Sequence, residues 1–358
     1  MARRYSVVAA FAALVVGIQL TTRLTGTSFH LTQLTMTAYY SLLIMGLCML
    51  IGYAGQISIG HAGFFAIGGY VSAFLTTHNL AAHKGTALVS LLSRSGAVVS
   101  RTDAYGGAME TVHPWLACVA AILLTIAVAY VIGGPVLKLK GHYLAMATLG
   151  VGIIVYRMVL GTEFLGAADG ISEVPGFPIF SGLVITGKSS LRVSNYYIAW
   201  GTVIVGMVLL LNLVHSRVGR ALAAVHGAED AAGAMGIPTA RYKLHMFVLS
   251  AVFASAAGVL LTHFNGGIGP SEASVMKSVR YVAIVAIGGM ANLWGALLMS
   301  LLLNYLSLRG YFGTFDDTVF GIILLLIMLF APDGLLRRHV FSDIRRMVSR
   351  NPADEEAA

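Results

Sequence analysis

Charge is what this sequence has least of. Aspartate, glutamate, lysine and arginine make up 11% of its 358 residues, where a soluble domain carries about 25%. That leaves too little polar surface to clothe a water-soluble globule. Cysteine is almost absent as well: Cys48 and Cys118 both lie in apolar runs, which argues against a disulfide framework and against a cysteine metal site. No carboxylate stands well inside an apolar run, so the acids by which stand-alone secondary transporters couple to ions are missing. No nucleophile has a base and an orienting group beside it, so the chain offers no convincing hydrolase centre. The formal net charge of +8 is not gathered into a basic patch on a polar domain, which speaks against nucleic acid as a partner.

What the chain has instead is apolar length. Hydrophobic residues make up 57% of it, and the mean hydropathy is +0.82. These values predict an all-α, polytopic integral membrane protein. Ten spans follow from runs near the 20 or so residues a crossing needs: Tyr5–Leu20, Leu34–Ile51, Ile57–Thr77, Pro114–Leu137, Gly141–Leu160, Asn195–Val214, Leu244–His263, the two halves of Val279–Leu308, and Thr318–Ala331. The first follows a basic Met1–Arg4 start and has no small-residue cleavage pattern after it, so it reads as a retained helix rather than a signal peptide. Val279–Leu308 is too long for one straight helix and is split at Gly288, Gly289, Met290, Ala291 and Asn292.

Charge along the chain tests that count. With the N-terminus inside, thirteen of the 23 lysines and arginines fall on inner segments, ending with Arg337, Arg338, Arg345, Arg346 and Arg350. Weighed against longer outer loops, this favours both termini inside. The division expected is a membrane domain over 1–331, outer loops at 78–113 and 161–194, an inner loop at 216–243 and an inner tail at 332–358. In the tail, Leu336, Val340, Ile344 and Met347 recur at helical spacing beside arginines, the pattern of a helix lying on lipid.

The stretch from Gly52 to Tyr70, GYAGQISIGHAGFFAIGGY, stands out among these spans. A lipid-facing helix has no use for Gln56, Ser58 and His61, since unpartnered polar groups in hydrocarbon cost several kcal/mol each. Gly55 and Gly60, with their neighbouring glycines, let a backbone unwind and show its polar groups to a solute. The same glycines also serve tight packing by small residues. His61 has no carboxylate in its segment, and most such histidines are hydrogen-bonded structural residues.

Three other motifs need weighing. Gly182, Gly187, Lys188 and Ser189 satisfy the phosphate-loop pattern, but they sit in a loop between two spans, without the strand, helix and α/β domain such a loop requires. Arg157 lies near the outer end of its span, where its stem can carry the charge to the headgroups. The inner segment Ser216–Lys243 is alanine-rich and closes at Pro238, so a short helix is expected there. Glu229 and Asp230 suit its positive start, and its small residues suit either a plain connection or close contact with another protein.

Taken together, these residues resemble the LivM-type permease subunits of ABC importers for branched-chain amino acids. The resemblance rests on GYAGQISIGHAGFFAIGGY at 52–70, LKLKGHYLAMATLG at 137–150, ADGI at 168–171, the block at 216–260, AIGGMANLWGALL at 286–298 and FGIILLLIMLFAPDGLL at 320–336. It implies a subunit that moves a small polar solute inward by alternating access, with no catalytic residue, cofactor or metal of its own. ATP would be hydrolysed on separate ATPase subunits. A second homologous permease, an external solute-binding protein, membrane lipid and an inner-membrane location complete the implication.

It further implies that Arg217, Gly219, Arg220, Glu229, Ala232 and Gly236 face the ATPase. Gly55, Gln56, Ser58, Gly60 and His61, with Gly288, Gly289 and Asn292, would then belong to broken segments on the translocation route. Three features depart from the family pattern: the length of the 78–113 loop, Ile153 where an acid is frequent, and Gly166, Ala167 and Ala168 in place of a threonine and double glycine. A stand-alone transporter or channel for urea or an amide is the alternative these residues leave open.

Overall fold

A computed structural model describes residues 2–80, 98–102, 108–139, 141–180 and 182–330. In lipid a backbone can satisfy its own hydrogen bonds only by coiling or by closing a barrel, and the apolar runs coil. The helices are α1 (Ala2–Leu24), α2 (His30–Ala54), α3 (His61–Thr77), α4 (Pro114–Val136), α5 (His142–Gly161), α6 (Arg192–Val214), α7 (Arg217–Gly227), α8 (Glu229–Ala234), α9 (Thr239–Asn265), α10 (Val275–Gly288), α11 (Leu293–Leu308) and α12 (Asp316–Phe330). Every expected span is a helix. Six of them are long and apolar enough to cross a membrane unaided; α3, α10, α11 and α12 are shorter.

Helix α2 is the centre of the bundle, buried along almost its whole length. It packs against α6, α9 and α11, while α9 also covers α3 and α4. The directions follow from the contacts. Ser41 meets Ser300 and Tyr305 meets His30, so α11 runs antiparallel to α2; His61 meets Ser250 and Ser72 meets His263, so α3 and α9 run parallel. Close approach of α3 and α9 depends on missing side chains: a β-carbon at Gly258 would lie 2.0 Å from the Phe65 carbonyl oxygen. The start of α1 lies beside the end of α6, where the Tyr5 hydroxyl donates to Asn212 Oδ1 at 3.0 Å.

The loops at the far end from α7 and α8 hold the only strands among the described residues. Val98–Thr102 pairs antiparallel with Ala108–Val112, Phe177–Phe180 pairs with Leu183–Ile185, and Ile171–Ser172 pairs with Gly267–Ile268. The Arg101 guanidinium donates to the Glu173 carbonyl at 3.1 Å, tying the two longer loops together. Residues 81–97 and 103–107 of the 78–113 loop lie outside the described residues, as does the tail expected at 332–358.

Two boundaries differ from the sequence expectation. Residues Ile57–Gly60 are not helical, because the glycines at 55 and 60 end one helix and delay the next. Helix α10 begins at Val275, not Val279, since Ser274 caps it through a bond from the Lys277 amide at 3.3 Å. Lys277, expected ahead of the span, is therefore a helical residue.

Candidate translocation site and coupling helices

Helix α2 stops because Gly55 turns left-handed, with φ of +67°. The amides of Gly55 and Gln56 both reach back to the Leu50 carbonyl, which closes the helix end. Five residues later Gly60 precedes α3, and a β-carbon there would lie 2.2 Å from the Thr148 carbonyl oxygen of α5. The Ile59 amide donates to Thr148 Oγ1 at 3.1 Å. The open turn is thus pinned on its α5 side.

Within this turn the polar side chains divide sharply. His61 Nδ1 lies 2.9 Å from Ser58 Oγ and its Nε2 lies 2.8 Å from Ser250 Oγ, so both ring nitrogens are occupied. The imidazole is a strut between the break and α9. Gln56 is just as buried, at 1% exposure, yet neither its Oε1 nor its Nε2 has a hydrogen-bond partner among the described residues. A buried amide left bare costs roughly 1–3 kcal/mol, and such residues call for a functional explanation.

The second break meets the first. Gly289 has φ of +97° and Ala291 φ of +63°, after which Asn292 caps α11 by accepting from the Gly295 amide at 3.1 Å. Helices α10 and α11 fold back on each other so closely that a β-carbon at Gly295 would lie 1.9 Å from the Gly288 carbonyl oxygen. Ala291 rests on α2: a β-carbon at Gly52 would fall 2.1 Å from its amide nitrogen, and the Tyr53 hydroxyl donates to its carbonyl at 2.8 Å. The structure therefore joins Gly55, Gln56, Ser58, Gly60 and His61 to Gly288, Gly289 and Asn292 through a contact, Gly52–Ala291, that sequence spacing could not show.

The 216–243 segment, expected as an inner loop, folds as two helices where one was expected. Ser216 caps α7 by accepting from the Val218 and Gly219 amides at 3.1 and 3.3 Å, and Gly219 is pressed against the end of α6, where a β-carbon would lie 2.1 Å from the Val214 carbonyl oxygen. Arg217 and Arg220 are exposed, and the Arg220 guanidinium reaches the His215 carbonyl at 3.4 Å. Ala232 is buried, Gly236 ends α8 with φ of +83°, and Met235 is 84% exposed. Glu229 forms an ion pair with Lys243 of α9, so besides sitting in the first turn of α8 it clamps that helix to the bundle. His226 of α7, which sequence patterns did not single out, stands against Gly55 at the first break.

The two weaker motifs fall away. Gly182 turns a β-hairpin and Ser189 begins a single 3₁₀ turn, a geometry without the strand-to-helix junction of a phosphate loop. Arg157 is exposed near the end of α5, where its charge can reach the headgroups.

Residues 29–332 match the family described as branched-chain amino acid transport system, permease component. The chain is 30% identical to the high-affinity branched-chain amino acid transport system permease protein LivM of Salmonella typhimurium, over 84% of this chain and 68% of that protein. It is 29% identical to LivM of Escherichia coli over the same shares. To the permease protein LivH of Salmonella typhimurium it is 27% identical, over 85% of this chain and 93% of that one. No solved structure matches it. With a family match over most of its length and a bundle of apolar helices broken at two touching points, the chain belongs to the permease components of the branched-chain amino acid transport systems and is a multi-pass membrane protein.

Proposed function

We propose that this chain is the membrane-spanning subunit of an ATP-driven importer that carries branched-chain amino acids, or closely related small polar solutes, across the bacterial inner membrane. The observation that carries this reading is the seating of α7 on the first break through His226 and Gly55. A push on that helix from an ATPase would be felt at once by the unwound turn and, through Gly52 and Ala291, by the second break. The chain supplies the path and the lever; ATP is bound and hydrolysed by partner subunits, and no catalytic residue, cofactor or metal is assigned to this chain.

The exposed surface of α7 and α8, with Arg217, Arg220 and Met235 outward, is the ATPase contact. On this reading α7, α8 and both ends of the chain belong to the cytoplasmic side, in line with the expected surplus of inner lysine and arginine. Similarity to both LivM and LivH supports a second, related permease as partner. An external binding protein delivers the solute to the strand-bearing loops, and lipid surrounds the rest.

The test is isolation of the tagged chain from its native membrane in mild detergent, identification of what stays bound, and reconstitution of that assembly in proteoliposomes. Recovery of ATPase chains and a second permease, with uptake of labelled L-leucine that requires ATP, supports the reading. Isolation alone, with solute flux indifferent to ATP, would replace it with a channel or secondary transporter.

A further inference from the structure

The far end of the bundle holds a charged cluster that neither break uses. Glu272, in the turn Pro270–Ala273, accepts from Lys277 Nζ at 2.5 Å. The Tyr40 hydroxyl lies between them: it donates to the two Glu272 oxygens at 3.2 and 3.3 Å and accepts from Lys277 at 3.1 Å. Tyr40 is ten positions into α2, about 15 Å along the helix axis from its start. The turn carrying Glu272 thus lies against the body of α2 rather than beyond its start.

Such a pair is a poor investment for stability alone. Withdrawing two charges from water costs several kcal/mol each, and apolar residues of the same volume commonly serve as well or better. Ionisable pairs packed among membrane helices mark solute pathways by default. Nor is the cluster sealed, since the two side chains keep 24% and 17% of their surface exposed.

Its surroundings are unfinished in a specific way. Tyr281, only 1% exposed, lies beside Tyr40 with ring centroids 6.1 Å apart, and its hydroxyl has no partner among the described residues. A cavity of about 40 Å³ opens there, lined by Tyr40, Lys277, Arg280, Tyr281, Asn304 and Ser307. Lys277 Nζ already sits 5.2 Å from the centre of the Tyr40 ring, and Phe65 stacks on that ring with centroids 5.9 Å apart. Tyrosine faces of this kind receive ammonium groups.

We infer that Glu272, Lys277, Tyr40 and Tyr281 bind the zwitterionic head of an α-amino acid at the end of the bundle away from α7 and α8. This rests on the importer function proposed above and names its solute contact. The substrate ammonium takes the place of Lys277 against Glu272, its carboxylate takes the place of Glu272 against Lys277, and the Tyr281 hydroxyl donates to that carboxylate. Because each protein charge exchanges one partner for an equivalent one, opening the pair for a zwitterion leaves no charge bare. A solute lacking either group leaves one unpaired, which is a penalty built into the site.

The test is equilibrium binding of tritiated L-leucine to the full-length chain in lipid nanodiscs, competed by unlabelled L-leucine, L-leucinamide (no carboxylate) and 4-methylpentanoate (no ammonium). Only L-leucine is expected to compete with the native chain. Glu272→Gln and Lys277→Gln should abolish saturable binding. Tyr281→Phe removes a hydroxyl that bonds to nothing among the described residues, so it keeps the fold and weakens binding about fivefold, the value of one hydrogen bond of roughly 1 kcal/mol. Leucine binding of native strength in Tyr281→Phe and Glu272→Gln, or equal competition by all three compounds, would overturn the site, as would absence of saturable binding to the native chain. ATP-dependent leucine uptake by the native assembly, measured alongside, keeps the two conclusions apart: if it persists while binding behaves in one of these ways, the site falls and the importer stands; if it is absent, both fall.

Discussion

A β-carbon at Gly55 would lie 2.6 Å from Nδ1 of His226. One residue closes the central helix and the other belongs to the short helix at the end of the bundle, so the unwound turn and α7 meet at this exposed edge.

Gly55→Ala meets two penalties. A left-handed φ costs an alanine about 1–2 kcal/mol, and its methyl group strikes the imidazole. The protein is expected to insert in the membrane while ATP-driven uptake per inserted chain falls at least about tenfold, a change of about 1.4 kcal/mol. Adding His226→Ala removes the collision but not the backbone strain, so the double variant should regain part of the lost uptake. Equal uptake in the single and double variants would mean that the imidazole contact is not what couples the two elements.

The Glu229–Lys243 pair gives a sharper test of how α8 is held. Both side chains are partly exposed, and pairs of this kind contribute about 0–1 kcal/mol. Glu229→Lys should therefore leave the unfolding temperature almost unchanged. It sets two ammonium groups face to face and lifts α8 from the bundle, so ATP hydrolysis by the assembly should lose its stimulation by solute. The exchange Glu229→Lys with Lys243→Glu should restore it. No rescue would show that Glu229 is read by the partner rather than by Lys243.

Much of this was legible before any coordinate. Apolar runs give membrane helices because lipid leaves a backbone no alternative, so a helix lies at each of the ten expected runs, six of them long and apolar enough to cross a membrane. The breaks were legible too, since Gly55, Gly60 and Gly289 mark them with residues that helices avoid. What local sequence does not carry is which helices touch. Ala291 on Gly52, Ser250 on His61 and His226 on Gly55 bring together residues far apart in the chain, and nothing in the periodicity of one segment names its neighbour. Glu272 was hidden for a related reason: a turn between two helices reads as an outer loop, and only the contact of Pro270–Ala273 with Tyr40 shows that it packs against α2.

The close seat of Ala291 on α2 has a cost that can be measured. A side chain at residue 52 meets backbone, with the Ala291 amide nitrogen at 2.1 Å and its Cα at 2.6 Å, and backbone cannot rotate aside as a side chain can. Gly52→Val should destabilise the fold by about 1–3 kcal/mol through overpacking. A thermal shift assay in detergent should show this as a fall of several degrees, and an unchanged midpoint would mean that the two breaks separate at little cost.

Gln56 offers the clearest separation of stability from transport. Its amide is buried without a hydrogen-bond partner among the described residues, so the folded protein bears the cost of desolvating it. Gln56→Leu keeps a side chain of similar size and removes that cost, so the unfolding midpoint should rise. If the amide is there to meet a passing solute, uptake should fall in the same variant even as stability improves, the trade expected where a site is kept strained for function. Gln56→Glu provides the control, because a buried unpaired charge destabilises far more than the amide does. Should Gln56→Leu instead lower the midpoint, the amide bonds within the fold and its place on the pathway is lost. A raised midpoint with full uptake would leave Gln56 buried beside the route but not on it.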